Sequence, residues 1–200
     1  MNFLVQKQDF KIRVENIVAS AALGVVVPLE KIVSKMEGME YEPEQFPGLV
    51  YRLQKPKAAA LIFGSGKIVC TGARSLDDVN EVFKKVVVII KKTGTKVPGT
   101  YKVQVENIVA SARLDANLNL DTIAFNLENS EYEPEQFPGL VYRMLEPKVA
   151  FLLFGSGKIV CTGARSVKDV HIAVEKVSKI LKKIKALVKR PDVVTDTKKH

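Results

Sequence analysis

The sequence predicts an α+β fold in which two similar halves share one antiparallel sheet. Three observations predict it. First, the chain is written twice. Glu40 to Arg52 returns as Glu131 to Arg143, Phe63 to Ser75 as Phe154 to Ser166, and Val14 to Ala21 as Val105 to Ala112, always 91 residues later. A constant offset across three blocks marks a tandem duplication without net insertion, with a period too long for a solenoid. Second, each half reads strand, helix, four strands, helix. Third, the helices suffice to cover one sheet face only, which leaves the other open, and a folded protein uses such a surface.

The elements follow in order. Residues 1–9 read as a short arm. Phe10, Ile12, Val14, Asn16 and Val18 alternate, a strand signature over Phe10 to Ser20, with an asparagine placed among valines. Pro28 opens a short helix from Leu29 to Met36, ended by Gly38. Met39 to Glu42 reads as a short strand, and Pro43 and Pro47-Gly48 punctuate a loop. Leu49 to Leu53 and Ala58 to Phe63 are strands around a turn at Gln54 to Lys57. Gly64-Ser65-Gly66 is a second turn, and Lys67 to Ala73 a last strand. Ser75 caps a long helix carrying Val79, Val82, Phe83, Val86 and Ile90 on one side. Thr93 to Gly99 is the linker. The second half repeats the order from Tyr101, and its final helix runs from Val167 to a stop at Pro191. The expected division is 1–96, 97–190 and a tail, 191–200.

The 200 residues carry a formal net charge of +9, with 46% hydrophobic residues. A core is therefore affordable, and a polyanionic partner, nucleic acid before membrane, competes with scattered surface lysines as the meaning of the charge. Cys70 and Cys161 occupy matching positions within strand patterns and read as buried free thiols in a reducing compartment rather than a bridge. No apolar run reaches the length of a spanning helix, and Met1 to Phe10 lacks a signal-peptide pattern. The chain reads as intracellular.

Catalytic and cofactor motifs fail. Gly64-Ser65-Gly66-Lys67 lacks the upstream glycine (Leu61 stands there) and the following Ser or Thr (Ile68) of a phosphate loop, so it reads as a hairpin turn. His171 and His200 have no metal-ligand partners at useful spacing. Glu42, Glu44, Glu133 and Glu135 flank prolines and read as solvated or partner-contacting loops. No enzyme, metal or cofactor is expected.

A hairpin centred on Lys55-Pro56 places Gly48 opposite Phe63, so Phe46 meets Phe63 at one end. Phe137 and Phe154 meet likewise. Core filling and exposure both remain open for these rings. If Ile68 and Cys70 pack under the helices, Val69 and Thr71 line the open face with Leu61. Asn16 and Asn107 fall near its middle, with Arg52, Lys67, Arg74, Arg143, Lys158 and Arg165 at its margins.

These residues resemble the conserved core of the TATA-box-binding protein family, over about residues 9–188. The likeness rests on paired copies of Glu-Asn-Ile-Val-Ala-Ser, Tyr-Glu-Pro-Glu-Gln-Phe-Pro-Gly-Leu-Val-Tyr-Arg and Ser-Gly-Lys-Ile-Val-Cys-Thr-Gly-Ala-Arg. The close match between halves looks archaeal. The resemblance implies a ten-stranded saddle-shaped sheet with helices on its convex side, and a general transcription initiation factor that binds the minor groove of TATA promoter DNA. It implies that Asn16 and Asn107 donate to base acceptors, and that Val18, Val69, Thr71, Val109, Val160 and Thr162 pack on the groove floor. It makes Phe46, Phe63, Phe137 and Phe154 wedges between base steps, supported by Leu61 and Leu152, and assigns phosphates to the six marginal cations. Tyr132, Glu133, Glu135 and Gln136 resemble the loop that meets transcription factor B, with RNA polymerase recruited through it. A homodimer off DNA is a further expectation, as is a location with the archaeal nucleoid, or the nucleus if the source is eukaryotic. The near-identical first loop implies poor orientation on DNA without the partner. The basic C-terminus, Lys182-Lys183-Ile184-Lys185, Lys189-Arg190 and Lys198-Lys199, departs from many archaeal relatives.

Two rival readings accompany this one. A DNA-repair glycosylase would need a further catalytic domain, for which these residues show no pattern. A protein-binding scaffold would use the open face to take a peptide or to help form a homodimer.

Overall fold

The computed structural model describes residues 10–36 and 38–189. The predicted arm, 1–9, and the tail, 191–200 with Pro191 and His200, lie outside them. The first half runs β1 (Arg13–Ala22), α1 (Leu29–Val33), β2 (Met39–Glu40), β3 (Gly48–Leu53), β4 (Ala58–Phe63), β5 (Lys67–Ala73) and α2 (Leu76–Lys92). The second runs β6 (Val103–Arg113), β7 (Asn117–Leu118), α3 (Leu120–Asn126), β8 (Ser130–Glu131), β9 (Gly139–Met144), β10 (Val149–Phe154), β11 (Lys158–Ala164), α4 (Val167–Lys183) and β12 (Leu187–Val188). Ten strands form one sheet in the order β2-β3-β4-β5-β1-β6-β11-β10-β9-β8. The expected α+β, ten-stranded antiparallel architecture with helices is the one observed.

The chain divides into two compact units, residues 13–110 with 162–170, and residues 10–12, 111–161 and 171–189. In the first, α2 packs on β5, β4 and β1 and buries Val79, Val82, Phe83, Val86, Val87, Ile89 and Ile90. Each such side chain contributes about 1.5–3 kcal/mol on leaving water. The helix starts as its sequence predicts: Asp78 N–H donates to Ser75 Oγ, and Ser75 N–H donates to the Asp78 carboxylate, a capping box. In the second unit, α4 buries Ala173, Val174, Val177 and Leu181, α3 packs on β8 and β9, and Phe151 stacks on Tyr142 with centroids 6.5 Å apart.

The structure corrects several boundaries. β1 starts at Arg13, not Phe10, because Lys11 has φ 48° and interrupts the extended run. Phe10 is nevertheless buried, and its carbonyl accepts Arg113 N–H at 2.9 Å. The first short helix ends at Val33, ahead of Met36 and Gly38, with Ser34 at its C-cap. Only Leu29 and Ile32 are buried on it, too little apolar face to extend it. β2 and β8 are two residues each, since they are edge strands that leave the ladder at the following loop. The last helix stops at Lys183, well before Pro191. Ala186 N–H donates to Leu181 O and Lys185 N–H to Lys182 O, a Schellman ending with Lys185 at φ 56°. The turn releases β12, which pairs with β7 in a two-stranded sheet that the repeat pattern did not predict.

Candidate nucleic-acid interface

Strand parity divides the sheet into two faces. On β1, Ile17, Ala19 and Ala21 are buried while Asn16, Val18 and Ser20 are partly exposed. On β4 and β5, Ala60, Ile62, Ile68 and Cys70 are buried while Leu61, Val69 and Thr71 are partly exposed. Cross-strand register lines up Val50, Leu61, Val69 and Ser20 in one row, with Ala59 opposite Thr71 in the next. Partners in register share a face, so this row is one half-covered apolar strip. β6 repeats the parity, with Asn107 and Val109 partly exposed and Ile108 and Ala110 buried. In the second unit, Leu152 and Val160 stay partly exposed between buried Phe151, Leu153, Ile159 and Cys161. The thiols Cys70 and Cys161 are buried and free, as the strand pattern predicts. Burial pushes both from 9.0 up to about 11, with the Asp78 charge adding to the rise at Cys70.

Both asparagines belong to the first unit, and each is held by its carbonyl oxygen. Gly72 N–H donates to Asn16 Oδ1 at 2.6 Å, and Gly163 N–H donates to Asn107 Oδ1 at 2.7 Å. A backbone N–H needs an oxygen, so the contact settles which end of each amide points where. The amide nitrogens are thereby left as the donor ends. At Asn107, Nδ2–H donates to Thr162 Oγ1 at 3.2 Å, and the same hydroxyl lies 3.4 Å from Oδ1. Gly72 and Gly163 have φ 88° and 97°, a backbone that L side chains rarely adopt. The β1–β5 register slips beside this point, between Ile17 and Ala19.

The aromatic pairs form as the hairpin arithmetic predicts. Gly48 pairs with Phe63 and Gly139 with Phe154. The Phe46 and Phe63 centroids lie 5.7 Å apart and edge-on, and those of Phe137 and Phe154 5.9 Å apart. The open question of burial resolves toward exposure for Phe46 and Phe137, and to an intermediate burial for Phe63 and Phe154. Phe46 and Phe137 keep 37% and 40% of their surface, and Phe63 and Phe154 are half-covered by them. The glycines make room for this. A Cβ on Gly48 would stand 2.7 Å from Phe46 Cε1 and 3.0 Å from Phe63 Cε1, and Gly139 meets Phe137 and Phe154 at the same distances.

Arg52, Lys67, Arg74, Arg143, Lys158 and Arg165 are all exposed. Arg52 pairs with Glu40 at 3.3 Å and Arg143 with Glu131 at 3.7 Å, both in solvent, where such pairs contribute little and exchange partners readily. An open concavity of about 690 Å³ beside Asn16 and Thr71 is rimmed by Arg52, Lys57 and Arg74. Lys57 is a cation that sequence reasoning omitted. It also passed over Gly48, Gly139, Gly72 and Gly163, although a glycine inside a strand or beside an aromatic cluster signals a bulge or a close approach. In the loop before β9, Glu133, Glu135 and Gln136 are exposed and Tyr132 partly so. Gln136 N–H and Phe137 N–H both donate to Glu133 O. The first loop repeats that pattern with Gln45, Phe46 and Glu42. The Gly64-Ser65-Gly66 segment is a hairpin turn closed by Gly66 N–H on Phe63 O.

The features define a duplicated α+β protein with a helix-free sheet face that mixes apolar strips, oriented amides and paired phenylalanines. The chain matches, over residues 11–93 and again over 102–184, the family described as transcription factor TFIID (or TATA-binding protein, TBP). It is 54% identical over 168 residues to the TATA-box-binding protein of Methanothermobacter thermautotrophicus, covering 84% of this chain and 93% of that one. It is 56% identical over 176 residues to that of Picrophilus torridus, covering 87% and 96%. A solved structure titled Methanococcus jannaschii TBP aligns with a TM-score of 0.81 at 47% identity, covering 86% of this chain and 98% of that one. The chain belongs to the TATA-binding protein family.

Proposed function

We propose that this protein is a general transcription factor that binds TATA promoter DNA through the helix-free face of its sheet, in the minor groove. The observation that carries the reading is the orientation of Asn16 and Asn107. With each carbonyl oxygen occupied by a glycine N–H, the amides offer donors. The minor groove of A·T pairs presents only acceptors, while a G·C pair adds a guanine amino donor. Donors set among Val18, Leu61, Val69, Thr71, Val109, Leu152, Val160 and Thr162 suit the first and reject the second, because the guanine amino group would be buried against apolar atoms without a partner.

Phe46 with Phe63, and Phe137 with Phe154, act as wedges. Kinking by inserted apolar side chains is a known property of this family of minor-groove binders, and unstacking costs a few kcal/mol per step. Flexible TA steps lower that cost, so deformability adds to the preference. Arg52, Lys67, Arg74, Arg143, Lys158 and Arg165 hold phosphates, which sets position rather than sequence. Tyr132, Glu133, Glu135 and Gln136 form the contact for transcription factor B, through which RNA polymerase is recruited. The exposure of the three polar residues supports this. The matched loop at Glu42 to Phe46 supports weak intrinsic orientation, with direction supplied by the partner. The family is non-enzymatic, which sets aside the repair-enzyme reading.

The test is fluorescence-detected bending and affinity on a TATA duplex and on a G·C-rich duplex of equal length. A bent, tight complex on the first alone is expected, and equal affinity for the two would overturn the reading. For the partner loop, Glu133→Lys should abolish the ternary complex with transcription factor B in a gel shift while leaving the binary complex intact. An unchanged ternary complex would remove that assignment.

A further inference from the structure

Phe63 and Phe154 each lead into a glycine turn, and each turn is gripped by the segment that leaves β1 or β6. In the second repeat Gly157 N–H closes the turn on Phe154 O at 2.9 Å. Leu114 N–H donates to Gly157 O and Leu118 N–H to Gly155 O, both at 2.9 Å. The approach is backbone on backbone, since a Cβ on Gly157 would stand 2.1 Å from Ala116 O. The first repeat makes the same grip, with Leu23 N–H on Gly66 O at 3.0 Å and Val27 N–H on Gly64 O at 2.9 Å.

Behind the grip the repeats part. In the second, β12 lies along the gripping segment, with Leu187 opposite Leu118 and Val188 opposite Asn117. Asn119 N–H donates to Ala186 O at 2.9 Å. The segment is thus held on one edge by the turn and on the other by the chain that leaves α4.

The first repeat lacks that second edge. Among the described residues no strand pairs with residues 25–27, and residues 93–102, which leave α2, form no strand. Val26, the copy of Asn117, is 81% exposed. Pro28 stands where the second repeat has Asn119, and a proline has no N–H to give. Its backbone angles are φ −81° and ψ 89°, against −86° and 100° at Asn119. The two sites therefore differ in the donor and not in the path of the chain.

We propose that Asn119 is a positioning residue for the Phe154 wedge. Its N–H, with the β7–β12 pair, backs the turn that carries the ring, so the second repeat kinks DNA against a stiffer support than the first. This rests on the wedge role given to Phe154 under the proposed function. A ring that enters a base stack must part the bases, and the load returns to the turn behind it. A backing segment paired on both edges has fewer conformations into which it can yield. Phe63 has the one-edged grip alone, so removing Phe154 should lose more bend than removing Phe63.

Asn119→Pro imports the residue of the first repeat at matching backbone angles, and Leu118 before it is already extended, as a proline requires. The change deletes the N–H together with the side-chain cap on Thr122 N–H. Asn119→Ala deletes the cap alone and is the control. Each is made in the full chain, with the bend read by energy transfer across a doubly labelled TATA duplex and thermal melting as the check on folding. Asn119→Pro should reduce the bend and weaken TATA binding about threefold, while Asn119→Ala lowers only the melting temperature. A double-mutant cycle separates support of a wedge from general loss of stability. In a Phe154→Ala background the proline should change nothing further, and in a Phe63→Ala background it should reduce the remaining bend. Equal effects of Asn119→Pro and Asn119→Ala, an unchanged bend with the proline, or equal effects in the two backgrounds would overturn the proposal. Equal losses of bend from Phe154→Ala and Phe63→Ala would overturn it without any change at Asn119. A parent chain that leaves the TATA duplex straight would remove the wedge reading itself, and this proposal with it.

Discussion

The side-chain oxygen of Asn16 accepts the backbone N–H of Gly72 at 2.6 Å, and Asn107 and Gly163 repeat the contact at 2.7 Å. The backbone therefore decides which end of each amide faces outward. Asn107→Asp isolates that role. The carboxylate still accepts Gly163 N–H but cannot donate, and it brings a negative charge toward base acceptors. TATA affinity should fall at least tenfold, in line with the roughly 1.5–3 kcal/mol of a hydrogen bond involving a charged group, while the melting temperature stays close to the parent's. Anisotropy titration beside a thermal melt checks both, and undiminished binding would remove amide donation from the reading.

Gly48 and Gly139 control the rings. A methyl group at Gly139 would stand 2.7 Å from Phe137 Cε1, closer than real Cβ atoms approach. Both rings are partly exposed and can swing away, so Gly139→Ala should fold but hold its phenylalanines out of position. Energy transfer across a doubly labelled TATA duplex should report a smaller bend than with the parent, and Phe154→Ala should reduce it further. An unchanged bend in both variants would reject the wedge role.

Much of this was legible in the residues themselves. Period-two alternation separates Ile68 and Cys70 from Val69 and Thr71, and a turn centred on Lys55-Pro56 brings Gly48 to Phe63. Both are local rules, and the duplication states each of them twice. What was not legible depends on backbone angles or on distant partners. Gly72 sits inside a strand pattern that looks regular, and only its φ of 88° reveals the turned N–H. Lys185 ends α4 in a left-handed conformation usually taken by glycine, so no residue type announces the stop. β12 and β7 are two residues each, too short to carry a periodicity.

Charge should act separately from sequence. Arg74→Ala removes an exposed cation at the margin of the face. The slope of log affinity against log salt should become shallower by about one on a TATA duplex and on a G·C-rich duplex alike. A loss confined to the TATA duplex would mean that Arg74 reads bases.

The buried thiols set an alkaline limit. Cys70 and Cys161 ionise near 9.0 when exposed and at about 11 when folded. Between these values the native state holds more protons than the unfolded state, so stability is complete below about pH 9 and declines as pH rises toward 11. Urea unfolding midpoints at pH 8, 9 and 10 should fall in that order, and Cys70→Ala with Cys161→Ala should flatten the trend. A midpoint independent of pH in the parent would contradict it.

The Asp78 carboxylate that closes the turn at the head of α2 also accepts the backbone N–H of Arg74, at 3.4 Å. One anchor thus ties the mouth of a helix to a residue at the rim of the sheet. Loss of that single carboxylate would leave two consecutive N–H groups, those of Arg74 and Ser75, without their acceptor and would fray the helix start and the strand end together.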